Sequence, residues 1–196
     1  PTPLFLFLLG VRMAALLSKA AKDGDVDTVA MLMKENPGVV DKQHDGWTAL
    51  HSAIVRSRVE VVKYMMENGA DPDEENRFGM VPLVHAIDQN NYEIVRLLVE
   101  VGGANVMRFD GGMNTMAQRA KSRKDTDKRI VELLEKKEAE RKKEIEEEKA
   151  EKARKRKEAA AKRAAEKEAG GGAKKKGKKG KGPPKKDAPQ DPQEEQ

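Results

Sequence analysis

The sequence predicts an all-α solenoid of about three and a half to four helix-turn-helix units, continued by a long charged single helix and a disordered basic tail. Three observations predict it. The first is a period, for Gly46, Gly79 and Gly112 stand 33 residues apart, as do Val26, Val59 and Tyr92. The second is apolar spacing within the period: Val26, Val29, Leu32 and Met33, then Val59, Val62, Met65 and Met66, fall three and four residues apart and give each helix one apolar face. The third is a break in charge, since residues 1–134 hold 17 Lys and Arg against 19 Asp and Glu, whereas residues 135–196 hold 22 against 15. One helical pair cannot bury its apolar face alone, so neighbouring pairs must stack.

Residues 1–12 read as an apolar N-terminal extension. Leu4 to Val11 has the composition of a signal-peptide core, but no basic residue precedes it and Arg12 interrupts it. The first helix is expected to start at Met13 and to open a repeat domain over residues 13–134. Asp23-Gly24-Asp25 supplies the first turn, with Asp25 as N-cap of the second helix, and Pro37-Gly38 ends that helix. The second unit runs through GWTALHSA (Gly46 to Ala53) and VEVVKYMMENGAD (Val59 to Asp71). The third repeats it as GMVPLVHA (Gly79 to Ala86) and YEIVRLLVEVGGAN (Tyr92 to Asn105), and the fourth opens with GMNTMAQR at Gly112. Gly69 and Gly102 follow the second helices, where a residue with positive φ ends a helix at least cost. Past the insert KSRKDTD (Lys121 to Asp127), Thr126 or Asp127 caps a helix from Lys128 whose last core pair is Leu133-Leu134.

Residues 135–169 hold one large apolar residue, Ile145, so the apolar a and d positions of a coiled coil are missing. Glu138 with Lys142, Glu148 with Lys152, Glu151 with Lys155 and Glu158 with Lys162 instead support a solvated single helix, at about 0.2–0.5 kcal/mol a pair. At about 1.5 Å per residue the rod from Lys128 would reach on the order of 60 Å. Gly170-Gly171-Gly172 stops it, and residues 170–196, rich in Lys, Gly and Pro, cannot fold alone. Lys174, Lys175, Lys176, Lys178, Lys179, Lys181, Lys185 and Lys186 can neutralise a polyanion, but without aromatic neighbours they cannot stack on bases. RNA, acidic tubulin tails, an anionic membrane surface or a nuclear import receptor suit them, and a purely solubilising tail is the alternative.

The middle units resemble the ankyrin repeat. The second carries Asp45-Gly46-Trp47-Thr48-Ala49-Leu50-His51, then Val61, Val62, Met65, Met66 and the closing Asn68-Gly69-Ala70-Asp71. The third keeps Gly79, Pro82, Leu83, Ala86, Ile94, Val95, Leu97, Leu98 and Gly102, with Val84 in place of the signature histidine and His85 beside it. The outer units are degraded, as capping units are. The resemblance implies that DKQHDG (Asp41 to Gly46), DPDEENRFG (Asp71 to Gly79) and NVMRFDGG (Asn105 to Gly112) are projecting fingers that contact a protein partner together with the concave first helices. It places Trp47, Ser52, Arg56, Met80, His85, Gln89, Met113 and Gln118 on that surface and makes His51 a structural histidine bonding backbone between units. Trp47, beside Phe78 and Met80, is either an interface anchor or the cover of a neighbouring unit's edge. Asp73, Glu74 and Glu75 in one finger favour a basic partner.

No cysteine is present, which excludes a disulfide framework, a thiolate metal site and a cysteine nucleophile, and fits an intracellular location, with the cytoplasm the first reading and the cytoskeleton or nucleus the alternatives. No run reaches the roughly 18 apolar residues of a membrane-spanning helix. GAKKKGKK (Gly172 to Lys179) approaches a phosphate-binding loop, but Lys179 stands where Ser or Thr is required. His44, His51 and His85 lack metal-ligand spacing. The sequence therefore points to no catalysis, cofactor, metal or small-molecule substrate. Its first reading is a non-enzymatic adaptor or scaffold for a protein partner, with electrostatic attachment through the tail. The alternative is a structural component of a ribonucleoprotein or microtubule assembly, with helix and tail lying along RNA or tubulin.

Overall fold

The computed structural model describes residues 3–110 and 112–170, with side-chain packing described for residues 10–110 and 112–163. Four helical pairs follow one another: α1 (Pro3–Asp23) with α2 (Val26–Glu35), α3 (Ala49–Val55) with α4 (Val59–Glu67), α5 (Pro82–Asp88) with α6 (Tyr92–Arg96), and α7 (Met116–Ser122) with α8 (Lys128–Gly170). Among the described residues there is no strand, only isolated antiparallel bridges His44 to Trp47 and Phe109 to Thr115. The first helices stack in one row, α1 on α3, α3 on α5, α5 on α7, and the second helices in another, α2 on α4 and α4 on α6. Leu17, Leu50, Ile54, Leu83, Ile87 and Met116 from the first row and Met65, Ile94, Leu98, Ile130 and Leu134 from the second are fully buried and form one continuous core.

The chain divides into two units, residues 1–147 and 148–196. Ile130 and Leu134 belong to the core of the first, so the opening turns of α8 serve as the second helix of the fourth pair. Along α8 all four expected i,i+4 ion pairs form: Lys142–Glu138, Lys152–Glu148, Lys155–Glu151 and Lys162–Glu158. The lysine-rich segment after Gly170, including every lysine assigned to polyanion binding, lies outside the described residues.

Several local expectations hold. Asp25 caps α2 by accepting from the Thr28 N–H at 3.0 Å. At the start of α8 it is Asp127, not Thr126, whose carboxylate accepts from the Arg129 N–H, at 2.9 Å. Gly69 takes φ 81, as a helix-ending glycine should.

Other local features differ. The first helix begins at Pro3 rather than Met13, because Leu4, Leu6, Leu8 and Leu9 are good helix formers and the single Gly10 costs only about 1 kcal/mol. Gly102 stays right-handed at φ −75, and Gly103 takes the positive φ of 71. The third unit carries one residue more than the second between its core and this glycine. One turn of π-helix, Leu97–Val101, absorbs that residue by widening the helix. The insertion shifts everything after it, so that the N-caps Thr48, Val81 and Thr115 are spaced by 33 and then 34 residues. Gly112 is therefore not the counterpart of Gly46 and Gly79. That position is held by Met113, a non-glycine residue at φ 65 with an exposed side chain.

Candidate interaction surface

The surface is built on how each finger is tied to the helix that follows it. In the second unit Thr48 caps α3, its hydroxyl oxygen accepting from the His51 N–H at 3.3 Å and lying 2.8 Å from Nδ1 of the same histidine. Nε2 of His51 lies 3.0 Å from the Met80 carbonyl, which can only accept, so Nε2 carries the proton and Nδ1 accepts from the Thr48 hydroxyl. This links the second unit to the third finger, the inter-unit role that the resemblance gave to His51. Burial pushes the His51 pKa down from 6.5 to about 4, opposed by the bond to Met80 and reinforced by His85.

The third finger is held by Asn76, a residue sequence reasoning did not single out. Its buried side-chain oxygen accepts from the Phe78 and Met80 N–H groups at 2.9 and 3.1 Å, and its amide reaches Nε2 of His85 at 3.1 Å. Asp110 does the same in the finger that leads into the fourth unit, accepting from the N–H groups of Gly112 at 2.8 Å and Asn114 at 3.2 Å. Asn or Asp closing on the backbone two residues ahead is a signal the letters contain.

Trp47 sits at the centre. Positive φ at both Asp45 and Gly46 makes the tight hairpin turn that projects it, with His44 and Trp47 exchanging backbone bonds at 2.8 and 3.0 Å. The half-buried indole lies 5.1 Å from the His85 ring, 5.8 Å from His51 and 6.1 Å from Phe78, centroid to centroid. It thus covers the edge of the third unit. Its remaining side lines a shallow pocket of about 140 Å³ with Lys22, Ser52, Val55 and Arg56. Covering and presenting are not exclusive here. Phe78 is 57% exposed under the Arg77 guanidinium, 4.7 Å away, and Met80 is half-buried beside it.

The other expected positions separate. Arg56 and Gln89 are exposed, and Gln89 donates to the Val55 carbonyl at 3.1 Å. Ser52 is buried, 2.9 Å from the Ser18 hydroxyl, and so joins the first two units. Met113 occupies the turn rather than the fingertip position of Trp47 and Met80, which Asn114 holds instead. Gln118 faces its own cap, receiving the Thr115 N–H at 2.9 Å. Because of the one-residue insertion, Arg119 is the true counterpart of Ser52 and His85, and the strict period missed it. Arg119 bridges Asp88 at 2.6 Å and Asp110 at 3.0 Å, while Arg123 adds a second contact to Asp88 at 3.4 Å.

Two of the three acids in the acidic finger are already engaged within the fold. Both carboxylate oxygens of Asp73 accept from the Asn105 N–H, at 3.0 and 3.1 Å, and Arg108 pairs with Glu75 while donating to the Asp73 carbonyl at 3.3 Å. Glu74 is half-buried. Asp73 and Glu75 staple one finger to the next. Among the described residues there is no group of three or more His, Asp or Glu able to hold a metal, and no helix long and apolar enough to cross a membrane.

Comparison with known proteins agrees with this architecture. The family model for ankyrin repeats (3 copies) matches residues 16–110. The chain is 35% identical over 97 residues to a probable E3 ubiquitin-protein ligase, XBOS31, of Oryza sativa subsp. japonica, a match covering 48% of this chain and 21% of that protein. It is 36% identical over 72 residues to the 2-5A-dependent ribonuclease of Homo sapiens, covering 36% and 10%, and 32% identical over 99 residues to the putative ankyrin repeat protein FPV031 of Fowlpox virus (strain NVSL), covering 48% and 28%. The chain thus spans between 10% and 28% of these relatives' length, and the ligase and ribonuclease activities in two of the names are said of those proteins.

Proposed function

Residues 16–110 belong to the ankyrin-repeat family, a non-catalytic interaction fold that indicates a protein partner, and from that premise we propose that this protein is a non-enzymatic adaptor. It takes its partner on the first-helix face, between the fingers. The observation that carries this reading is Trp47, an indole braced by His51, His85 and Phe78 on one side and open to a pocket on the other. A large aromatic group held rigid at small entropic cost is the commonest kind of interface anchor. Phe78, Met80 and Arg56 extend the contact to either side. The lysine tail adds an electrostatic attachment of low specificity.

Affinity capture with crosslinking mass spectrometry identifies the partner, and Trp47→Ala tests the site. The expected result is an affinity loss of over 1 kcal/mol, roughly fivefold or more, with melting temperature lowered only slightly. Unchanged affinity with a clearly lowered melting temperature would mean that Trp47 only covers the third unit.

A further inference from the structure

The notch between the first and second units differs in charge from the fingers above it. Val55, 43% exposed, and the open side of Trp47 form an apolar floor, with Lys22 at the end of α1 and Arg56 at the end of α3 on its rim. Neither cation forms an ion pair among the described residues. The carboxylates further along the face are already neutralised: Asp88 is held by both Arg119 and Arg123, and Asp110 by Arg119. Asp23, next to Lys22 in the chain, likewise makes no ion pair among the described residues, and Arg58, whose Nε–H donates to the Lys22 carbonyl at 2.9 Å, leaves three cations around it against that one carboxylate. Those rim cations are therefore free to meet a carboxylate, and a pocket of about 140 Å³ over an apolar floor has room for one aliphatic side chain such as leucine.

Resting on the adaptor reading, we propose that the segment this protein captures is acidic, with one branched aliphatic side chain seated against Trp47 and Val55 and flanking carboxylates on Lys22 and Arg56. The occupant follows from charge complementarity, because a basic segment would meet the unpaired cations Lys22 and Arg56 on the rim.

The single tryptophan of the chain lines the notch, so its emission reports occupancy there and not at the lysine tail. The test titrates the full chain with a capped octapeptide of glutamates around one central leucine, which contains no chromophore of its own. The expected result is a saturable change in emission. Replacing the leucine by alanine, or changing Arg56→Glu or Lys22→Glu in the protein, weakens binding on the order of tenfold. Lys34→Glu, an exposed position on α2 in the opposite row, leaves it unchanged. Both notch variants are at exposed positions, and an unaltered circular dichroism spectrum confirms that they fold. No emission change with the leucine peptide, an equal response to a lysine peptide, or full binding by the Arg56→Glu and Lys22→Glu proteins would overturn the inference. If such a failure came together with partner capture that Trp47→Ala weakens, the acidic segment would be wrong and the adaptor reading would stand.

Discussion

Stability should fall between pH 7.5 and pH 5, and His51 should be the main cause. The histidine is fully buried, with Nε2–H bonded to the Met80 carbonyl at 3.0 Å and Nδ1 facing the Thr48 hydroxyl at 2.8 Å, so its neutral form is the one the fold accommodates. Burial lowers its folded-state pKa to about 4 from the 6.5 expected of the unfolded chain. A depressed folded pKa means that the unfolded chain binds the proton first, so stability is complete above pH 6.5 and is lost as pH falls toward 4. Integrating that gap down to pH 5 gives a loss of about 2 kcal/mol. The window closes there because carboxylates begin to contribute below it: bonds from the Thr28 hydroxyl to Asp25, from Arg129 to Asp127 and from Arg96 to Glu93 hold those groups under their ordinary values. Urea unfolding at pH 7.5 and pH 5, followed by Trp47 emission and by circular dichroism, measures the difference. His51→Gln, whose amide can still donate toward Met80, should be less stable at pH 7.5 but lose about 2 kcal/mol less on acidification. His85, whose pKa burial also lowers, gives the residual slope in the variant. Equal losses in the two proteins would refute the assignment to His51.

Three other substitutions test the local reasoning. Met113→Gly removes a left-handed strain of about 1–2 kcal/mol and adds about 0.5–1 kcal/mol of unfolded-state freedom, so it should raise stability by up to about 1.5 kcal/mol; a lowered urea midpoint contradicts the φ of 65 at that residue. Leu134→Ala should cost about 2–5 kcal/mol, and a loss under 1 kcal/mol would mean that α8 does not close the repeat core. Gly102→Ala should destabilise by about 1–3 kcal/mol although its φ of −75 suits alanine, because the new Cβ would lie 2.5 Å from Met66 Sδ and 2.9 Å from the Leu98 carbonyl oxygen. A gain in helix stability there would show that the π turn relaxes freely.

Period and apolar spacing make the helical pairs legible in the sequence, because stacking demands the same buried face from each unit and leaves it written at fixed intervals. Val62, Met65, Ile94 and Leu98 are all fully buried, as their spacing requires. The charged run after Leu134 was legible for a similar reason, since oppositely charged residues four apart can only support each other on a helix. What the period could not convey was the consequence of one inserted residue. A widened turn at Leu97–Val101 hides that residue inside a helix, and a count kept at 33 then assigns Met113 and Gln118 to places held by Asn114 and Arg119. The site was half legible for a different reason. Residue type marked Trp47 and Phe78 as contacts, but whether a carboxylate is free depends on its neighbours in space. Asp73 and Glu75 look available in the sequence and are bound to Asn105 and Arg108 in the fold.

Hydrogen exchange on the full chain, free and with its captured partner, tests the adaptor reading most directly. Binding on the first-helix face predicts slowed exchange in residues 44–57 and 76–90 and none in α2 or α4, which form the opposite row. Protection confined to the second helices, or to α8 beyond Glu147, would contradict it.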